Sequence, residues 1–317
     1  MQAVLFLLLG LALLIKGADF LVAGASTIAA RARIPPMVVG LTIVSFGTSM
    51  PEFLVTMISG LQQNADLAVA NIIGSNIANV LLVLGLAAII RPLPVGNATV
   101  VSEVPFSLTA ALLVGFLANA ALFSPHPELS ISRLDGVILL FFFLLFMLYV
   151  YKMSMDDGST AASELQGSTG RAIVVLVVSL VLLYLGGSWV VDGAVGLATA
   201  WGVDDALIGL TIVAVGTSTP EIVASAVAAY RNQADLAVGN VVGSNIFNLL
   251  WVLGSTSAIV ELPFEVINNT DLVMVIAASA LVILALVSSR QRTITRYHGV
   301  FFILLYAAYV VYAVRRG

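Results

Sequence analysis

Residues 40–52 read GLTIVSFGTSMPE, and residues 209–221 read GLTIVAVGTSTPE. The two stretches start 169 positions apart (209 − 40 = 169) and agree at ten of thirteen residues. At the same offset, residues 65–85 (ADLAVANIIGSNIANVLLVLG) match residues 234–254 (ADLAVGNVVGSNIFNLLWVLG) at fifteen of twenty-one. Weaker traces extend outward: Gly17 and Gly24 align with Gly186 and Gly193, and Pro94 with Pro263. A fixed long period of this kind marks a chain built from two copies of one unit.

The composition says where those copies sit. Of 317 residues, 60% are apolar and only 9% charged, with mean hydropathy +1.09. Soluble domains are nearer half apolar and a quarter charged, so a water-soluble enzyme, a nucleic-acid binder and a disordered chain are excluded. The chain is expected to be a polytopic membrane protein. Its net charge of −4 carries little information about partners. With no cysteine there is no disulfide framework and no thiolate metal site. The start, Met-Gln-Ala-Val, lacks a basic leader and runs into Lys16 and Asp19, which reads as a retained helix.

Breaking the chain at its polar, Gly and Pro clusters predicts an all-α protein with ten transmembrane helices. Their approximate bounds are 3–30, 36–61, 66–89, 99–121, 132–153, 171–199, 205–230, 235–259, 268–289 and 297–314. Tilts or breaks are expected in the first, second, sixth and seventh, which are long or interrupted by small residues. Nothing in the sequence reads as a strand. The matched blocks fall on the second and seventh helices, five apart. An odd separation forces opposite orientations, so two inverted-topology repeats of five helices are predicted: 1–154 and 171–317, joined by a short cytoplasmic linker, 155–170. Nine loop Lys and Arg then share one side and three the other, which places both termini outside the cytoplasm.

Inverted repeats with paired interrupted helices point to a secondary transporter with its site at mid-membrane. Duplication retained only for packing would preserve apolar periodicity; it would not single out Glu, Asn, Ser and Thr. Glu52 and Glu221 are carboxylates in apolar spans, costly unless paired or facing a polar cavity. Lys16 is the one basic residue well inside a span and cannot serve both, so cation ligation or protonation accounts for them better. Pro51 and Pro220 precede them and deprive the Gly47 and Gly216 carbonyls of a helical partner. The carbonyls around residues 45–48 and 214–217 are therefore expected to be available. Ser75 and Asn79 share a helix face, as do Ser244 and Asn248. An all-oxygen set suits Ca²⁺ or Na⁺ rather than Zn²⁺ or Cu. Asn71, Asn76, Asn240 and Asn245 fit interhelical hydrogen bonding or capping as well as ligation. Asp66 and Asp235 are expected to cap their helices, and Glu103, Asp192 and Asp271 to lie at the membrane interface.

The motifs Gly-Thr-Ser-Met-Pro-Glu (47–52), Gly-Thr-Ser-Thr-Pro-Glu (216–221), Gly-Ser-Asn-Ile-Ala-Asn (74–79) and Gly-Ser-Asn-Ile-Phe-Asn (243–248) resemble those of the calcium/cation antiporter superfamily, in its sodium/calcium exchanger branch. Residues 40–85 and 209–254 resemble that family's two α-repeats, in the prokaryotic type. The resemblance implies alternating access, with the Na⁺ gradient driving Ca²⁺. It implies Glu52 and Glu221 as central ligands shared by both ions, faced by the carbonyls of Thr48 and Thr217. Ser49 and Ser75 with the Ser45 carbonyl would form one flanking Na⁺ site. Ser218 and Ser244 with the Ala214 carbonyl would form the other. Asn79 and Asn248 would complete the middle. Some relatives, including potassium-dependent exchangers, carry Asp where this chain has Asn248, which argues against K⁺ cotransport. A three-for-one stoichiometry, also implied, would move one net charge per cycle.

The expected protein is thus an antiporter and not an enzyme, with no catalytic residues and no cofactor. Its substrates would be Ca²⁺ and Na⁺, its partner the lipid bilayer, with no nucleic acid or nucleotide. Oligomeric state is not readable. The short linker leaves no room for a regulatory insert and suits a prokaryotic inner membrane. H⁺/Ca²⁺ exchange is the alternative, and a cation channel ranks below it.

Overall fold

The structure, a computed structural model, describes residues 2–96, 102–120, 129–156, 169–200, 214–289 and 291–316. The helices are α1 Gln2–Ala32, α2 Pro36–Thr48, α3 Met50–Leu61, α4 Ala65–Ile90, α5 Val104–Ala118 and α6 Arg133–Asp156 in the first half. The second half holds α7 Thr169–Ala200, α8 Ala214–Thr217, α9 Thr219–Tyr230, α10 Ala234–Ile259, α11 Asn268–Ser288 and α12 Arg296–Arg316.

Among the described residues, seven helices are long and apolar enough to cross a membrane. The pair α2–α3, bent by 47° at Ser49, makes an eighth candidate span. Two predicted spans stand outside this set. The α5 helix has only 15 residues. The span expected at 205–230 is described from residue 214 onward, so residues 209–213 of the second repeat motif lie outside the described residues.

Burial sorts the helices. In α10, 94% of the most apolar stretch is buried, and in α4, 78%; in α12 the share is 11%. The repeated second blocks therefore form the centre, and α12, α6, α1 and α7 turn apolar faces outward. The outward side chains of α6 and α7, such as Phe141, Leu144, Val174 and Val181, are what a helix needs when its solvent is lipid.

The two longest helices, α1 and α7, pack against each other along their length. A Cβ on Gly10 would lie 2.8 Å from the Gly186 carbonyl, and one on Gly193 2.7 Å from the Ala3 carbonyl; Gly24 faces Ala172 and Leu176. Residue numbers rise along one helix as they fall along the other, so the pair is antiparallel. Small residues bring the backbones into contact, the usual way to join helices in lipid. Neither helix is broken. At 31 and 32 residues each is about 46 Å long and exceeds a hydrocarbon core of about 30 Å, so length is absorbed by tilt.

Two antiparallel ladders of two residues each correct the expectation of no strands. Leu93–Pro94 (β1) pairs with Thr293–Ile294 (β4), and Ser130–Ile131 (β2) with Leu262–Pro263 (β3). Strands this short carry no alternation for a sequence reading to detect. Leu93–Pro94 and Leu262–Pro263 are 169 apart, and each pairs with the opposite half.

One local prediction is corrected, and two carboxylates expected at span ends gain partners. The cap of α4 is Asn64, whose side chain accepts the Leu67 N–H at 3.2 Å; Asp66 lies inside the first turn, as Asp235 does in α10. Glu103 is fully buried, and its Oε1 accepts the Tyr149 hydroxyl at 2.6 Å. Asp271 is buried in a two-pronged pair with Arg316 at 2.8 Å, with Tyr309 donating at 3.1 Å. These partners come from helices distant in sequence, which spacing along one helix does not reveal.

Candidate functional site

Each repeat builds its part of the site with the same local device. Helix α2 runs through a π-helical turn, residues Gly40–Val44, and stops at Thr48. Ser49 leaves helical geometry (φ −84°, ψ 6°), and α3 begins with Met50. Ser218 has the same geometry (φ −85°, ψ 6°) between α8 and α9. Pro51 and Pro220 occupy the first turn of the new helix, where a missing N–H costs nothing. Glu52 and Glu221 follow in that turn, facing the positive end of a helix dipole.

The break is more local than predicted. The Ser45 carbonyl is not released: it accepts the Ser49 N–H at 3.0 Å and lies 3.4 Å from the Thr48 hydroxyl. The helix is intact as far as Thr48, and Pro51, which has no N–H, leaves the Gly47 carbonyl without its helical partner. Ala214 opens the single helical turn before the second break.

The two carboxylates are joined across the halves. Ser49 Oγ donates to Glu221 Oε1 (3.4 Å), and Ser218 Oγ donates to Glu52 Oε1 (3.2 Å). Ser75 also donates to Glu52 Oε1 (3.5 Å). Glu52, Glu221, Ser49 and Ser218 are all fully buried. The break that frees a backbone also aims its serine at the other half's glutamate.

The central helices contribute the rest. Thr48 Oγ1 donates to Asn240 Oδ1 (3.1 Å) and lies 3.5 Å from Ser244 Oγ. Asn71 donates to Thr56 (2.9 Å) and to the Glu52 carbonyl (3.3 Å), and Asn240 to Ser225 (3.0 Å), the equivalent position. Of the alternatives open for these two asparagines, interhelical bonding is what they do. Ser45 Oγ donates to the Gly40 carbonyl (2.6 Å) and the Asn240 carbonyl (3.0 Å). It abuts Gly243, where a Cβ would collide with it. Thr56 and Ser225 escaped the sequence reading because the repeat keeps only a hydroxyl there, not an identity.

Six oxygens of the repeated motifs remain, Asn76 Oδ1 and Asn245 Oδ1 among them. Glu52 Oε2, Glu221 Oε2, Asn79 Oδ1 and Asn248 Oδ1 are buried without a hydrogen-bond partner among the described residues; both amide nitrogens are also unpartnered. Asn79 opens a π-helical turn and Asn248 is the second residue of another, features that recur at functional sites. Buried polar oxygens without partners cost several kcal/mol. Carboxylate, amide and hydroxyl oxygens with spare lone pairs are the donor set of a hard cation. Thr217 is half-buried and lines a cleft of about 360 Å³ that ends against Pro51, Gly216 and Pro220.

Comparisons with known proteins agree with this geometry. The family described as "Sodium/calcium exchanger protein" matches residues 2–152 and 171–315. The protein CaxA of Alkalimonas amylolytica is 39% identical over 318 residues, covering 97% of both chains. The sodium/calcium exchanger MaX1 of Methanosarcina acetivorans is 31% identical over 340 residues, again covering 97% of both. A solved structure of the sodium-calcium exchanger NCX_Mj superposes with TM-score 0.82 at 31% identity, covering 98% of each chain. With the family profile spanning both halves and whole-length relatives above 30% identity, the chain belongs to the sodium/calcium exchanger family.

Proposed function

We propose that this chain is a secondary antiporter that exchanges Na⁺ for Ca²⁺ by alternating access, electrogenically and without K⁺. The observation that carries this reading is the crossed pair Ser49–Glu221 and Ser218–Glu52, with a second carboxylate oxygen on each glutamate left unpartnered. Two carboxylates supply about −2 charge, which one Ca²⁺ or two Na⁺ would neutralise. Because both ions need the same glutamates, they compete, and competition at a shared site is what couples their movement. A third Na⁺ at the flanking oxygens would leave one net charge to move, worth about 2.3 kcal/mol per 100 mV.

In this proposal Glu52, Glu221, Asn79 and Asn248 form the centre, with the Thr48 and Thr217 carbonyls. Ser49, Ser75 and the Ser45 carbonyl serve one flank; Ser218, Ser244 and the Ala214 carbonyl serve the other. The Ser45 carbonyl accepts the Ser49 N–H and lies 3.4 Å from the Thr48 hydroxyl, so a cation on that oxygen would take the place of the hydroxyl contact. Ten spans in two inverted repeats, 1–154 and 171–317, complete the proposal. The antiparallel α1–α7 pair and the exchange of β1–β4 and β2–β3 between halves support it. The termini are proposed to face away from the cytoplasm, on the loop-charge argument.

The test is ⁴⁵Ca²⁺ uptake into proteoliposomes loaded with Na⁺. Uptake should require the outward Na⁺ gradient, respond to membrane potential and persist without K⁺. Uptake driven by a pH gradient alone would replace Na⁺ by H⁺ as the coupling ion. Uptake with no counter-ion inside would indicate a channel.

A further inference from the structure

The cleft that reaches Thr217 and Pro220 is walled by α3 (Leu54, Val55, Ile58) and α7. The α7 wall carries Tyr184, Ser188 and Asp192. These are spaced i, i+4, i+8 and so form one stripe along the helix face. A phenol, a hydroxyl and a carboxylate therefore line an otherwise largely apolar passage. Asp192 is the one charged residue in that lining, is exposed to the cleft, and forms no ion pair among the described residues.

Asp192 is not an end-of-helix carboxylate. The α7 helix continues to Ala200, so the side chain sits about two turns, or about 12 Å, inside its end. A carboxylate at such a place needs water or a cation. The neighbouring Val191 packs on Gly216, and Gly187 faces Pro220, which a Cβ at Gly187 would meet at 3.7 Å. The stripe thus runs beside the broken segment that carries Thr217 and Glu221.

The equivalent stripe on α1, 169 residues earlier, is Ile15, Asp19 and Ala23. Its one carboxylate is consumed by Arg231 at 2.8 Å. Of these two stripes, the one on α7 carries a carboxylate with no ion-pair partner among the described residues.

We propose that Asp192, with Ser188 one turn away and Thr217 across the cleft, is an entry station. It captures a hard cation, Ca²⁺ foremost, from solvent and passes it toward Glu52 and Glu221. This rests on the exchanger reading of the central site and adds a second, weaker site to it. One carboxylate with neutral oxygens provides too little charge to retain Ca²⁺ tightly, which suits a relay. A fixed negative charge in a low-dielectric cleft concentrates cations and accelerates their arrival.

The test uses the whole chain in proteoliposomes. Asp192→Asn should raise the apparent KM for Ca²⁺ by about three- to tenfold at low ionic strength. Asp192→Lys should raise it further, and Vmax should stay within about twofold in both. Choline chloride at about 0.5 M should erase most of the difference, since screening then acts within a few ångströms. The chain has no cysteine, so Asp192→Cys can be modified alone. A negatively charged methanethiosulfonate should restore the low KM and a positively charged one should raise it. Unchanged KM in both Asn and Lys variants, or a KM change indifferent to salt and to the sign of the added charge, overturns the entry station. The KM comparison can be made whichever ion drives uptake, so losing Na⁺ dependence overturns the exchange reading while leaving this one standing. Absence of Ca²⁺ uptake under any gradient overturns both.

Discussion

The two flanks of the α1–α7 pair are built from equivalent helices and end in opposite conditions. On one flank α1 lies against α9, and Asp19 reaches Arg231 at the end of α9. On the other, α7 stands off from α3 and leaves the cleft lined by Tyr184, Ser188 and Asp192. The residues that would repeat the ion pair are Ser188 and Gln62, and neither is charged. At the centre the halves agree closely: two breaks of the same geometry, two buried glutamates, two serines crossing over. The two halves match around the buried glutamates and differ along the α3–α7 flank, where the proposed entry route lies. In the proposed mechanism a cation engages both glutamates at once, while the two access routes must not be open together. The packing around the centre is less symmetric than its polar residues. Phe46, Phe53, Phe247 and Trp251 cluster beside one half of the site, with Phe53 stacked on Trp251 at 4.5 Å. Their counterparts are Val215, Ile222, Ala78 and Leu82, all aliphatic.

The central symmetry breaks most completely at the glutamates. Glu52→Gln and Glu221→Gln should each abolish ⁴⁵Ca²⁺ exchange while leaving a monodisperse, helical protein by size exclusion and circular dichroism. Near-normal flux in either variant would remove that residue from the site. Next in size is the seam that both halves share. Gly10→Val would drive a side chain into the Gly186 carbonyl and the Val190 amide, both 2.8 Å from a Cβ. Overpacking of this kind costs about 1–3 kcal/mol, so the detergent-solubilised variant should melt at a lower temperature. An unchanged melting temperature would mean the helices are not this close.

The serine cross offers a sharper comparison. Ser49→Ala and Ser218→Ala each remove one hydrogen bond to a carboxylate of the other half. Each should weaken apparent Ca²⁺ affinity by about 1.5–3 kcal/mol, or about 10- to 150-fold, and by similar amounts. A large effect from one alone would show that the halves bind unequally. The smallest change is expected at the closed flank. The Asp19–Arg231 pair is partly exposed and worth about 0.2–1 kcal/mol. Asp19→Asn should therefore alter maleimide labelling of a single cysteine placed at Ile58 in the cleft by no more than about fivefold. The charge-reversed double variant Asp19→Arg, Arg231→Asp should restore it. A larger change would mean that the pair governs access rather than trims it.

Much of the centre was legible from residues alone. A carboxylate after a proline, repeated 169 residues later in apolar surroundings, is readable because charge at membrane depth needs a reason. The hydroxyls and amides nearby were readable because the repeat kept them identical. What escaped was pairing. Nothing in the spacing says that Ser49 serves Glu221 rather than Glu52, that Asn71 holds Thr56, or that Tyr149 caps Glu103. Asp271 reads as an interfacial carboxylate in one dimension, and becomes half of a buried pair only when α12 brings Arg316 beside it. Asp66 looks like a helix cap until Asn64 is found accepting the Leu67 N–H.

By itself the sequence determined the solvent, the duplication and the chemical character of the repeated polar residues. These depend on composition and on residues repeating at fixed distance, and both survive in one dimension. Tertiary structure alone decided which oxygens are engaged, which are buried without a partner, and which flank carries the cleft. Those outcomes follow from packing between helices far apart in the chain. At those contacts a glycine's missing side chain or one guanidinium decides whether two surfaces meet or part.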